Sequence, residues 1–232
     1  MLEMLTRFMD KSSIHTMHVD LEIAMHSAIK RVLPNAKIKA CQFHLAQAWF
    51  KKIQGLGLTP EYKDQDSDIG KWLRRFFALP VLPAEKVEES FVNFIMEDAP
   101  LDERCGRFAD YILRNYIDSA LSDFPHPDFP PEISTSTGTG NTKNSCESFH
   151  RYFGENFTSP NPNIYKFIEG LQNEQKIIII KRQSIVNPVC KRKQKLRKER
   201  KKSELSRQYE EGELTCAEFL DQMSKRMLPA HL

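Results

Sequence analysis

The residues best suited to chemistry in this sequence lie in two short stretches. The first, 19–44, contains Asp20 near its start and ends with Cys41 and His44. The second, 141–153, contains Glu147, which is flanked by Cys146 and His150. Carboxylates are ligands for hard cations such as Mg²⁺, and cysteine with histidine is the ligand set of zinc. The two stretches therefore raise the question of a metal or phosphate site.

Asp20 has two interpretations. It follows the β-leaning run "IHTMHV" and precedes a helical pattern, which places it at the carboxyl end of a predicted strand. In parallel α/β sheets the functional crevice lies at that end of the strands. Asp20 also precedes "LEIAMHSAI" as a helix N-cap would, with Glu22 in the first turn. The sequence leaves both interpretations open.

Cys41 and His44 have the x-x spacing of a zinc half-site. Cys146 and His150 lie one helical turn apart and provide a second half-site candidate, so a small zinc-stabilised domain is one hypothesis. The alternative is that each cysteine is a small core residue and each histidine a satisfied polar one. Zinc is not the expected cofactor, because neither pair has the glycine or flanking repeat of a zinc knuckle.

Glu147 lies on a predicted helix within "NTKNSCESFHRYF". His150 and Arg151 share its surface, whereas Phe149 and Phe153 point to another face and are predicted to be core. Glu147 is either a solvated partner of Arg151 or a carboxylate supplied to the site that Asp20 serves.

The positions of these residues depend on the predicted elements. "MLEMLTRFMDKS" is predicted to be an amphipathic helix, and 14–57 alternates strand, helix, strand and helix, as in a parallel α/β sheet. Three helical patterns follow, "DIGKWLRRFFAL", "PAEKVEESFVNFIM" and "LDERCGRFADYILRNYI". The stretch 123–144 is rich in Pro, Ser, Thr and Gly, which predicts an exposed loop. Helices are then predicted near 145–156, 163–183 and 216–227.

Composition limits the class of protein. The 232 residues are 40% hydrophobic and 28% charged, which is typical of a soluble globular chain. The longest aliphatic run, Ile177 to Ile180, is too short to span a bilayer, and no signal peptide is expected. Five scattered cysteines without a C-x-x-C pair favour a reducing compartment over a disulfide framework.

The charge is concentrated in one segment, "KRKQKLRKERKK" at 191–202. Its net charge of +8 exceeds the +3 of the whole chain, so the remainder is acidic. Such a run suits nuclear import and salt-dependent contact with DNA phosphates, and its alternative is a solvated helix face. The cations are Lys191, Arg192, Lys193, Lys195, Arg197, Lys198, Arg200, Lys201 and Lys202.

Three stretches in order resemble the transposase domain of Mutator-like elements. They are "VDLEIAMHSAIKRVLPNAKIKACQFH", then "ALPVLPAEKVEESF", then "NTKNSCESFHRYF" with "PNIYKFIEGLQNEQ", and they cover roughly Ile14 to Gln175. The most specific parts are the spacing from Asp to Cys-x-x-His and the later N-x-x-E-x-x-H block, which begins at Asn144.

The resemblance implies an α/β chain that is mostly helical overall, with an incomplete ribonuclease-H-like core. The expected segments are a partial core at 1–57, an all-helical insertion at 58–122, a loop at 123–144, the returning core with its acid-bearing helix at 145–183, and a basic helical tail at 184–232. In that family three carboxylates hold two Mg²⁺ ions that activate water or a DNA 3′-hydroxyl. By this resemblance Asp20 is the second acid and Glu147 the third, and both are metal ligands. Cys41 and His44 form the family's Cys-x-x-His.

The sequence departs from the family pattern at the first acid. Only nineteen residues precede Asp20, Asp10 falls at the end of a predicted helix, and Lys143 replaces the first residue of the usual Asn-Asn pair. A site lacking one carboxylate should bind metal poorly, so we expect a truncated nuclear transposase derivative without strand-transfer activity of its own. The alternative is a catalytically dead DNA-binding or protein-interaction module. Self-association stays open.

Overall fold

A computed structural model describes residues 14–117, 127–135, 152–159, 161–184 and 193–227. These residues are mostly helical, with two parallel strands. The chain divides into two compact units, one of Met1–Gly140 with Lys198–Leu232 and one of Asn141–Arg197. Among the helices of the described ranges, none combines the length and apolarity needed to cross a bilayer.

The first unit begins with the predicted alternation of strands and helices. Strand β1 is Thr16–Val19, helix α1 is Ile23–Val32, strand β2 is Lys37–Ala40 and helix α2 is Gln42–Gly55. The strands are parallel, with Thr16 opposite Lys37 and Val19 opposite Ala40. Gly57 adopts a φ of 71°, a left-handed conformation that glycine permits, just beyond the end of α2. The predicted strand, helix, strand and helix are confirmed.

One face of the two strands is covered by α1 and by a second segment. Ile29 and Val32 of α1 pack with Ile38 and Ala40 of β2 in a small core. Ile133 joins this core from helix α7, Pro131–Ser134. Two segments that are distant in the sequence, α1 and α7, therefore cover the same face of β2.

The segment around α7 differs from its prediction. The composition of 123–144 predicts an exposed loop, yet most of the described residues 127–135 are buried. The amide of Gln42 donates to the Ser134 carbonyl over 2.7 Å, and Lys39 Nζ donates to the Glu132 carbonyl over 2.8 Å. The prediction of exposure is wrong here because these contacts join α7 to β2 and the start of α2.

A larger helical core follows in the same unit. Its elements are α3 Thr59–Lys63, α4 Asp68–Phe76, a 3₁₀ turn Leu79–Val81, α5 Ala84–Ser90, a π-helix Phe91–Met96 and α6 Glu103–Tyr116. Trp72, Phe76 and Phe108 are buried together, with ring centroids 4.8 and 4.9 Å apart. The three helical patterns predicted between 68 and 117 are confirmed.

The C-terminal helices also fall as the sequence predicts. Helix α9 is Lys193–Glu210 and helix α10 is Cys216–Met227. Leu220 and Met223 of α10 are fully buried, and Arg75 of α4 donates to the Asp221 carboxylate over 2.7 Å. Although the sequence groups 184–232 as a tail, α10 is an integral part of the helical core. The exact segment boundaries stay a prediction.

The second unit contains a helical turn at 152–155 and helix α8, Ile164–Ser184. Phe153, Phe157 and Phe167 form an aromatic cluster with centroid separations of 5.1 to 6.1 Å. Gly170 is required beside it, since a Cβ there would lie 2.8 Å from Phe157 Cζ. Phe153 is buried, as predicted. The predicted helix at 1–12 and most of that at 145–156 lie outside the described residues.

Candidate functional site

Asp20 and Cys41 lie side by side at the carboxyl edge of the sheet. Asp20 follows β1 and Cys41 follows β2, and Val19 pairs with Ala40 immediately before them. The Cys41 backbone N–H donates to the Val19 carbonyl over 2.6 Å, which extends the pairing to this edge. The predicted position of Asp20 at the end of a parallel strand is confirmed.

The alternative interpretation of Asp20, as a helix cap, is wrong. Helix α1 begins at Ile23, and Glu22 occupies the N-cap position without a side-chain cap. Asp20 lies two residues before that position and is exposed. The Asp20 carboxylate is thus neither engaged in capping α1 nor buried, and it is accessible to solvent at the edge of the sheet.

His26, a residue that the sequence analysis did not single out, holds the backbone at Asp20 through a hydrogen bond. Its Nε2 lies 2.7 Å from the Asp20 carbonyl oxygen. Because a carbonyl only accepts, Nε2 carries the proton and donates. The ring is 95% buried, since its relative exposure is 5%, and it meets Phe129 edge-to-face at 5.4 Å. A histidine on the apolar side of α1, one turn before Ile29, was the signal available in the sequence.

Cys41 and His44 occupy the first turn of α2. Cys41 is at the N-cap position, but its side chain makes no capping hydrogen bond. It forms no disulfide and is half-buried. His44 contacts Phe43 edge-to-face at 5.7 Å, and its Nδ1 is buried without a hydrogen-bond partner in the described part of the chain. Cys41 therefore lies beside Asp20 at this edge, His44 follows three residues later on α2, and both residues are half-buried rather than in the core.

The remaining predicted site residues lie outside the described residues. These are Asn144, Cys146, Glu147, His150 and Arg151. The shared site of Asp20 and Glu147 stays a prediction, as does the four-ligand zinc hypothesis. Within the described ranges, no group of three or more His, Cys, Asp or Glu could hold a metal ion.

The described residues alone do not fit a two-metal site. Such a site needs several carboxylate oxygens around each hard cation. Asp20 is the one acid of the predicted pair that the structure places at the edge, and the residue beside it there, Cys41, is a soft ligand. No reaction step through Mg²⁺ follows from them.

The cations of 191–202 lie mainly on helix α9. Arg197, Arg200 and Lys201 are exposed, whereas Lys202 is half-buried. Lys191 and Arg192 lie outside the described residues, and for three further cations only the helical backbone is described: Lys193, Lys195 and Lys198. The exposed cations of this stretch are therefore accessible to a polyanion.

In the later part of α9, the described cation Arg207 is paired with carboxylates. Arg207 donates to Glu204 over 2.8 Å and also pairs with Glu211. These carboxylates raise the pKa of Arg207 above its usual range, and the hydrogen bond that Arg207 donates to Glu204 is the largest cause. Among the described side chains of α9, the exposed cations Arg197, Arg200 and Lys201 lie in its first half, whereas Arg207 in the second half is paired with carboxylates.

Comparison of the chain with protein-family models, with curated proteins and with solved structures found no match. The resemblance to Mutator-like transposases therefore rests on the sequence motifs alone.

Proposed function

We propose that this chain is a derivative of a Mutator-like DDE transposase that binds DNA without sequence specificity and does not itself cleave or join DNA. The observation that carries the proposal is the position of Asp20. It is an exposed acid at the carboxyl edge of a parallel strand pair, adjacent to Cys41, which directly follows the neighbouring strand.

The order of elements supports the same proposal. A parallel strand pair with intervening helix is followed by helices α3 to α6, and then by the segment in which Glu147 lies. The resemblance implies this order for a ribonuclease-H-like core carrying a helical insertion. Asp20 and Glu147 would be the second and third acids of that core.

Inactivity follows from the number of ligands. Two-metal cleavage needs carboxylates held in fixed positions around both ions. The resemblance supplies candidates for two of the three acids, Asp20 and Glu147. We therefore expect no Mg²⁺-dependent nicking or strand transfer by this chain.

DNA binding is supported by Arg197, Arg200 and Lys201. Exposed cations on a helix release condensed counterions when they contact phosphates, which gives affinity that depends on salt rather than on sequence. The same run would serve nuclear import, so we propose a nuclear location.

The second candidate is a catalytically dead module that acts through DNA or protein contacts alone. This second candidate also binds through the basic helix α9. It differs from the first because Asp20 would have no role in binding a metal ion. Its support is the set of exposed cations Arg197, Arg200 and Lys201 on α9.

One experiment tests the two claims on which the proposal depends, binding to DNA and the lack of cleavage. The purified chain is incubated with supercoiled plasmid and Mg²⁺, beside Asp20→Asn and Glu147→Gln variants, and its affinity for linear duplexes of unrelated sequence is measured. Binding without nicking is the expected result. Nicking that both variants abolish would show a working active site, and no salt-sensitive binding would refute the DNA proposal.

A further inference from the structure

Helix α8 presents an apolar surface to solvent. Ile164, Ile168, Leu171 and Ile178 are exposed by 61, 45, 41 and 52%. Together with Gln175 they are spaced alternately by four and three positions, which aligns them along one side of a helix. These five residues are called the α8 stripe.

The side of α8 that adjoins the stripe at Phe167 is the one packed within its own unit. Gly170 lies against Phe157, and Glu174 is buried and accepts a hydrogen bond from Asn156 over 3.2 Å. The helix therefore buries a glutamate and exposes a row of isoleucine and leucine. An amphipathic helix normally turns its apolar side inward, so the α8 stripe has the character of a contact surface.

We infer that the α8 stripe binds the same stripe of a second copy of this chain. Phe167 and Ile179 flank the stripe and are exposed by 38 and 47%. With them, the apolar area on this side is on the order of 500 Å² per chain, more than half of the ~800 Å² that each partner contributes to a stable complex. A repeating four-three pattern is also the pattern by which two helices pair along their length.

Gln175 selects the direction of pairing. Its amide both donates and accepts, so two copies facing each other satisfy one another, whereas an isolated buried amide costs free energy. In a parallel pair in register, each stripe residue meets its own counterpart, including Gln175. An antiparallel pair centred on Gln175 would leave Ile164 beyond the end of the partner helix. The dimer is therefore parallel and in register.

The test is the oligomeric state of the full chain. Sedimentation equilibrium and light scattering are measured for the unmodified protein and for Leu171→Glu and Ile178→Glu. We expect a dimer whose Kd rises about 100-fold or more in either variant, because each dimer would bury two carboxylates in an apolar contact. Ile180→Glu is the matched control, as Ile180 is 60% exposed on the other side of α8 and its replacement should leave the Kd unchanged.

Two further measurements make the outcomes decisive. Ile164→Cys should add a disulfide-linked dimer on mild oxidation, beyond that of the unmodified chain, only if the helices are parallel. Circular dichroism establishes that each variant is folded. A monomeric unmodified chain, or a dimer that survives Leu171→Glu, would overturn the inference. A monomer that Leu171→Glu destabilises would show that the stripe is covered within one chain, which also overturns it.

Discussion

Replacing Arg200 and Lys201 by glutamine should weaken DNA binding in a way that depends on salt. Both side chains are exposed on the cationic half of α9. If each contacts one phosphate, the slope of log K against log salt should fall by about 1.8, since each contact contributes about 0.9. The double variant should then bind roughly 60-fold more weakly at 0.1 M salt, with the difference vanishing near 1 M.

The assay is fluorescence anisotropy with a labelled duplex over a series of salt concentrations. A double variant of Arg207→Gln with Lys86→Gln is the control, because it changes the formal charge equally. Its cations already pair with carboxylates, Arg207 with Glu204 and Lys86 with Glu89, each over 2.8 Å. We expect the control to keep most of the wild-type slope.

Two results would refute this reasoning. Equal losses in both double variants would mean that net charge governs binding and that the position of the cations on α9 is irrelevant. An unchanged slope in the Arg200 and Lys201 variant would mean that this surface does not contact DNA.

Three further predictions concern the fold. Asp20→Ala should change the free energy of unfolding in urea by less than about 0.5 kcal/mol. Asp102→Ala should lower it by about 1 kcal/mol, because Asp102 caps α6 by accepting a hydrogen bond from the Arg104 N–H. Equal losses in the two variants would mean that Asp20 is a cap. Leu220→Ala should cost about 2 to 5 kcal/mol, and a loss below about 1 kcal/mol would contradict the packing of α10. Burial raises the pKa of Tyr62 to about 12, so wild-type stability should fall between about pH 10 and pH 12, as the unfolded phenol ionises and the folded one does not. Thermal melts at both ends of that range should show a smaller loss for Tyr62→Phe, and an identical loss would exclude Tyr62 as its source.

Sequence patterns predicted the elements where periodicity was clear. The alternation through β1, α1, β2 and α2 follows from short β-leaning runs beside helical spacing, and Pro34 and Gly57 mark where helices end. The same reasoning predicted α4, α6 and α10 from their apolar spacing. In each case the type of element depends on the spacing of apolar residues within a short stretch, so a single sequence was sufficient to predict it.

The site was predicted only in part. The place of Asp20 at the end of a strand needed no more than strand order, but its lack of a capping role depended on where α1 starts. His26 was missed because its bond to the Asp20 carbonyl depends on the turn between β1 and α1. The part of the site carried by Glu147 stays a prediction, since Glu147 is outside the described residues.

Local patterns thus sufficed for the type and order of the longer described helices and strands, and for the concentration of charge at 191–202, but not for the short helices α3 and α7. Burial of 127–135 followed only from contacts between distant segments, such as the bond from Gln42 to Ser134, which are 92 positions apart. Exposure of the α8 stripe likewise appears only when the buried side of α8 is known. Periodicity shows that a helix has two sides, whereas the side that is covered depends on the neighbours that folding brings to it.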